Sequence, residues 1–199
     1  MIPKALTRSY APAVGAIVIC IMLAHMVAPD QYNWTIHSIS QLAAQGYGQA
    51  WLMRAGFILF GALVLLAGAG RIRADRRHWY REAAIMLYGL AILLSGIFST
   101  SSFLDGAPFS AAHARWHTIF ATTAGVALSL GILLFALTDR PRSRQLAHLV
   151  TLVLITLLSA LFGATPAAAG VFQRLLWVVG FGWLVFLGSA GLSSAAQEQ

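Results

Sequence analysis

The sequence predicts an all-α polytopic membrane protein: one six-helix transmembrane bundle over residues 1–199, with a short helix lying at the outer interface. Three observations carry this. Of 199 residues, 59% are hydrophobic and only 10% charged, with a mean hydropathy of +0.76, whereas a soluble domain carries roughly 25% charged residues. The apolar residues gather into stretches of about the 20-residue length that crosses a bilayer. The basic residues fall in alternate connections, as the positive-inside rule requires of a multi-span chain. This composition excludes soluble-enzyme, disordered, collagen-like and disulfide-scaffold readings. The single cysteine, Cys20, allows neither an internal disulfide nor a cysteine-only metal site.

The six spans are expected at about 11–29, 51–70, 83–99, 118–137, 146–163 and 171–192. Pro29-Asp30 closes the first, which is longer than a signal-peptide core and lacks a small-x-small cleavage site before that turn. The run Arg71 to Glu82 separates the second span from the third, and Asp139-Arg140-Pro141-Arg142 separates the fourth from the fifth. The break before the last span is the weakest, with Thr165-Pro166 and alanines to turn the chain. Ten basic residues then share one side with both termini, namely Lys4, Arg8, five between Arg71 and Arg81, and Arg140, Arg142 and Arg144. Arg54, Arg115 and Arg174 remain on the other side. That division places both termini in the cytoplasm and the chain in the cytoplasmic (inner) membrane, and it accounts for the +7 net charge without any nucleic-acid partner. Membrane lipids are the expected partners. Trp34, Trp51, Trp79 and Trp116 fall at span ends, as interfacial anchors do.

The unusual residues collect on the outer side. The first outer connection is long, and within it Ile36, Ile39 and Ala43 fall on one face of a helix while His37, Ser40 and Gln41 take the opposite one, which predicts a short amphipathic helix at the membrane surface. Ser110 reads as the N-cap of the fourth span, which puts His113 and His117 one turn apart on one face. Continuing that line reaches Ala121 and Gly125, small residues of the kind that allow close helix contact. Both histidines are therefore expected to look into the bundle. His78 and His148 fall among arginines on the cytoplasmic side and read as solvated.

Several stretches together resemble a known family. His37-Ser-Ile-Ser-Gln-Leu-Ala-Ala-Gln-Gly-Tyr-Gly-Gln-Ala-Trp51-Leu-Met-Arg-Ala-Gly56-Phe-Ile-Leu-Phe-Gly61, then Gly96-Ile-Phe-Ser, then His113-Ala-Arg-Trp-His117 are similar to the bacterial and archaeal membrane family called domain of unknown function 998. The resemblance implies a six-helix membrane fold with no assigned activity, and it carries a histidine pair onto His113 and His117. Three departures from the family pattern are visible: Ala114 stands where the pattern has glycine, Ser99 where it has proline, and Asp105 lies several residues beyond its aspartate.

Three functional readings and a structural one compete. Arg54, Arg115 and Arg174 each sit in the first turn of an inward-running helix, where free N–H groups and the dipole favour an anion, so with His37 and Ser40 they would hold an anionic lipid headgroup or isoprenoid phosphate. Alternatively His113 and His117, with Asp105 or His37 as third ligand, would bind zinc in a membrane-interface hydrolase. No glutamate lies between the two histidines to act as base, and the helix dipole opposes a cation there. A haem held by His25 with His113 or His117 ranks below both. Without any ligand, the same residues would be snorkelling arginines and a polar cluster that fixes the outer loops.

Overall fold

The computed structural model describes residues 9–188, and within them the chain is all helix and loop. Six α-helices run in order: α1 (Ala11–Met26), α2 (Ala50–Ala74), α3 (Trp79–Ile97), α4 (Ala111–Thr138), α5 (Arg142–Ala164) and α6 (Ala169–Gly182). A π-helical turn, Trp183–Leu187, continues α6. Five segments are long and apolar enough to cross a membrane: α2 to α5, and the last one running from Pro166 to Leu187. The chain is thus a polytopic membrane bundle. At 16 residues, α1 is shorter than the span expected over 11–29 and rises only about 24 Å, against a hydrocarbon core of about 30 Å. Pro29 lies just beyond its end, where the preceding backbone is disfavoured from helix. The weak break before α6 is real, formed by a 3-10 turn at Pro166–Ala168.

Neighbours in sequence are neighbours in space, with α1 on α2, α2 on α3, α3 on α4, α4 on α5 and α5 on α6. The tightest seam is between α2 and α3. A Cβ added at Gly61 would overlap the Gly89 carbonyl oxygen, and one at Gly89 would stand 2.6 Å from a Val64 methyl. Without a hydrophobic drive between helices in lipid, such backbone contact is what small residues contribute. Trp34, Trp51, Trp79 and Trp116 are all exposed, as interfacial anchors should be.

At the end of the bundle that holds Tyr10 and Gly188, two buried ion-pair networks tie the helices together. Arg71 at the end of α2 forms an ion pair with Glu82 of α3 (2.9 Å) and donates to the Gly188 carbonyl (2.6 Å), and the Tyr10 hydroxyl donates to the Glu82 carboxylate. Arg81 of α3 donates to Asp139 (2.7 Å) with its guanidinium over the Phe135 ring. His148 of α5 bonds the other Asp139 oxygen at 3.1 Å. Trp183 Nε1 can only donate, and it does so to His148 Nδ1 (2.9 Å), so the His148 proton sits on Nε2 and is shared with Asp139. Burial would raise the Asp139 carboxyl, but the His148 hydrogen bond and the Arg144 and Arg81 charges outweigh it and hold the group below its usual range. The expectation of a solvated His148 is therefore corrected: it has no exposed surface. Arg71 and Arg81 are likewise buried, so two of the ten basic residues assigned to surface orientation are paired inside the protein.

The opposite end is closed by loops. The connection from 27 to 49 contains one regular turn, a 3-10 helix at Ile39–Ala43 whose Ile39, Leu42 and Ala43 are buried. The expected amphipathic surface helix is thus shorter than predicted and plugs the bundle end; Ile36 stays exposed. Gln45 joins this loop to the 98–110 connection, donating to the Ser99 and Ser110 carbonyls (3.0 and 3.1 Å) and accepting the Ser110 N–H (2.7 Å).

Candidate functional site

Between α4 and the pair α5–α6, beneath the Ser38–Gln41 turn, lies a cavity of about 920 Å³. That volume is within the range of small-molecule and cofactor sites, about 300–1,000 Å³. Its back wall is Phe57 of α2 with Tyr88 and Ile92 of α3. α5 contributes Leu152, Ile155 and Thr156, and α6 contributes Trp177 and Gly180. The α4 wall is a stripe of small and hydroxyl residues, Thr118, Ala121, Thr122, Gly125 and Ser129. A Cβ added at Gly125 would meet nothing within 4 Å. Ala121 and Gly125, expected to seat a neighbouring helix, instead border open space. Thr118, Thr122 and Gly125 on α4 and Thr156 on α5 are exposed, so the cavity opens sideways, toward lipid.

The polar groups concentrate at the loop end. Ser38, Ser40, Gln41 and Gln173 roof the cavity, with Ser95 and His117 on its wall. His117, 5% exposed, turns Nδ1 toward the Ser95 and Phe98 carbonyls at the end of α3, at 3.0 and 2.8 Å. Both partners can only accept, so Nδ1 carries the proton and caps carbonyls that α3 leaves unpaired. His117 lines the cavity, and its Nε2 lone pair has no hydrogen-bond partner among the described residues. The two glutamines are oriented in the same manner. Gln41 Oε1 accepts the Ser38 N–H (2.8 Å) and Gln173 Oε1 accepts the Ile39 N–H (2.6 Å). Each amide N–H2 is left over, with no partner among the described residues.

Of the predicted site residues, Ser40 and His117 meet in this cavity and the others lie around it. Arg115 is exposed, with no hydrogen bond or ion pair among the described residues. It lies on the cavity-facing stripe of α4, three and seven residues before Thr118 and Thr122. Arg174 is committed to the fold. Nη1 donates to the Trp34, His37 and Gly170 carbonyls (2.7, 3.1 and 2.7 Å), and Nη2 donates to His25 Nε2 (2.8 Å) and the Tyr32 hydroxyl (2.6 Å). It pins the loop to α6, helped by Gly170, where a Cβ would overlap the Trp34 carbonyl oxygen. Arg54 Nε donates to the Ala43 carbonyl (3.3 Å). The three arginines thus serve three separate places.

His37 accepts the Asn33 N–H on Nδ1 (2.9 Å) and packs on Phe103; partial burial lowers its pKa. Tyr32 is raised by burial, against the opposing pull of Arg174. His113 is exposed with its ring against Phe98, and Asp105 is exposed in the 98–110 connection. Among the described residues no three His, Cys, Asp or Glu side chains gather as metal ligands. His25, the proposed haem partner, has both ring nitrogens engaged, Nδ1 on the Ile21 carbonyl at 2.7 Å and Nε2 on Arg174.

Gln41 and Gln173 were absent from the predicted site. Gln173 carried one signal: it precedes Arg174 in the first turns of an otherwise apolar helix. A family model described as protein of unknown function, domain 998, matches residues 12–190. No curated protein and no solved structure matches the chain.

Proposed function

We propose that this chain, which belongs to the domain of unknown function 998 family, holds a long-chain membrane lipid, with the hydrocarbon in the cavity and the anionic head at its loop-end rim. The observation that carries the reading is the cavity itself: a largely apolar, sideways-open space of about 920 Å³, with amide and imidazole groups at its loop end and only scattered hydroxyls along its helical walls. Membrane lipids share that distribution. Arg115 supplies the anionic contact, since its side chain is uncommitted and it stands one turn beyond Thr118 on the same helix face. Arg174 and Arg54 support the loops that form the roof.

Both termini lie in the cytoplasm in this reading, so the polar end faces outward, on the strength of the basic-residue asymmetry. Native mass spectrometry of the full chain in mild detergent, offered 1,2-dioleoyl phosphatidic acid, tests the lipid site. One retained lipid per chain, reduced by Arg115→Gln, is the expected result. No lipid retained above the level of an unrelated six-helix membrane protein would refute it. Labelling of single cysteines in a Cys20→Ser background tests orientation, and outside accessibility at position 76 would overturn it.

A further inference from the structure

Three polar groups at the loop end of the cavity are aimed by hydrogen bonds to backbone, and together they specify a chemistry. His117 Nδ1 is spent on the Ser95 and Phe98 carbonyls, so Nε2 is left as an acceptor on a residue that lines the cavity, with no partner among the described residues. Gln41 and Gln173 spend their carbonyl oxygens on the adjacent Ser38 and Ile39 N–H groups, so each presents an amide N–H2 as a donor. The set is uncharged, with two donors and one acceptor, and His117 is 5% exposed. A ligand that displaces water from such a place keeps the acceptor satisfied when it brings a hydrogen-bond donor of its own. His117 also sits at the depth where such groups occur in a bilayer. It is about 9 Å along α4 from Ala111, and a helix of 28 residues rises about 42 Å against a core of about 30 Å, which leaves about 6 Å projecting at each end.

We infer that the cavity selects a lipid carrying a free hydroxyl just below its headgroup, the hydroxyl donating to His117 Nε2 and accepting from the amide of Gln41 or Gln173. A fully esterified lipid offers only acceptors at that depth and leaves Nε2 unpaired. This rests on the lipid-site reading above and narrows its ligand class to hydroxyl-bearing lipids, whether lysolipids, partial glycerides or long-chain alcohols. The alignment of Arg115 with the cavity favours one that also bears a phosphate.

The experiment compares, by native mass spectrometry on the full chain, 1-oleoyl lysophosphatidic acid with its 2-O-methyl ether, which keeps the chain and phosphate and loses only the donor. The expected result is roughly tenfold tighter retention of the hydroxyl lipid, the size of one hydrogen bond in a water-poor site. His117→Asn keeps a donor for the Ser95 and Phe98 carbonyls and withdraws the acceptor from the Nε2 position to Oδ1, nearer the backbone, and it should shrink the difference between the two lipids. Oleyl alcohol against its methyl ether separates a phosphate-independent hydroxyl preference from one that needs Arg115. Equal retention of hydroxyl lipid and ether by the unaltered protein overturns the hydroxyl inference while leaving the lipid site standing. Retention of none of these lipids removes both. Because the decisive comparison varies the lipid, it holds even where a His117 variant does not fold.

Discussion

Gly125 lies mid-way along α4, lines the cavity, and has room for a side chain, since an added Cβ meets nothing within 4 Å. Gly125→Leu should therefore separate the cavity from the fold. Removing a glycine from a helix interior contributes about 0.5–1 kcal/mol, so thermal stability in detergent should be unchanged or slightly raised. The leucine carbons take places that ligand carbons would occupy. At about 0.1–0.2 kcal/mol per atom contact and on the order of ten contacts displaced, lipid retention should fall by about 1–2 kcal/mol, or about 5- to 30-fold. Gly61→Ala is the contrasting control. Its Cβ would overlap the Gly89 carbonyl and stand 2.6 Å from Leu93 Cβ, so overpacking of about 1–3 kcal/mol should exceed the propensity gain. The assays are native mass spectrometry for lipid and a thermal melt for stability. A Gly125→Leu protein that melts well below the parent, or retains lipid as the parent does, would refute the assignment of this face to a ligand cavity.

Other expectations follow from the polar networks. Arg174→Gln should lose about 2–3 kcal/mol, since charge-assisted bonds to several carbonyls are left unmade, and amide exchange should accelerate in residues 31–39 while α2 and α3 stay protected; uniform acceleration would mean that Arg174 does not act on the loop. Asp139→Asn should destabilise the protein by about 3–5 kcal/mol at neutral pH, because Arg81 is left buried without its counter-ion, and a melt within 1 kcal/mol of the parent would show the pair to be dispensable. The Asp139 carboxyl is held below its usual range, so its stabilisation is complete above the unfolded value of about 3.9 and is lost as pH falls through the lower folded value. Acid unfolding of the parent should therefore steepen below about pH 4, and Asp139→Asn should flatten that limb; an unchanged limb would assign the acid response elsewhere.

The six helices were legible because a bilayer imposes both length and composition; the observed bounds differ most at the start of α4, which begins at Ala111 and not at 118, while α1 ends at Met26, three residues short of the expected 29. Charge partnering was not legible. The positive-inside count treats every arginine on a side alike, and nothing in the run Arg71 to Glu82 distinguishes a solvated arginine from Arg71 or Arg81, which are buried against acids. The visible hint was the placement of Glu82 and Asp139, acids at the ends of apolar helices that need a partner. Ala121 and Gly125 were misread because smallness permits either close approach or empty space, and the choice depends on where α5 and α6 lie. His117 was found and its ring orientation was not, since that depends on the end of α3. Arg174 had the composition of an anion site, but the carbonyls that occupy it come from a loop 137 to 140 residues away.

The sideways opening of the cavity has a consequence for how occupancy would be governed. A lipid entering through that opening would arrive by two-dimensional diffusion within one leaflet and never cross water. Its effective concentration is then a mole fraction of that leaflet, and aqueous solubility drops out of the equilibrium. Occupancy would track leaflet composition. A change in the abundance of one lipid among its neighbours would be registered by this protein even at constant total lipid, and an affinity measured against dissolved ligand would misstate the range over which it responds.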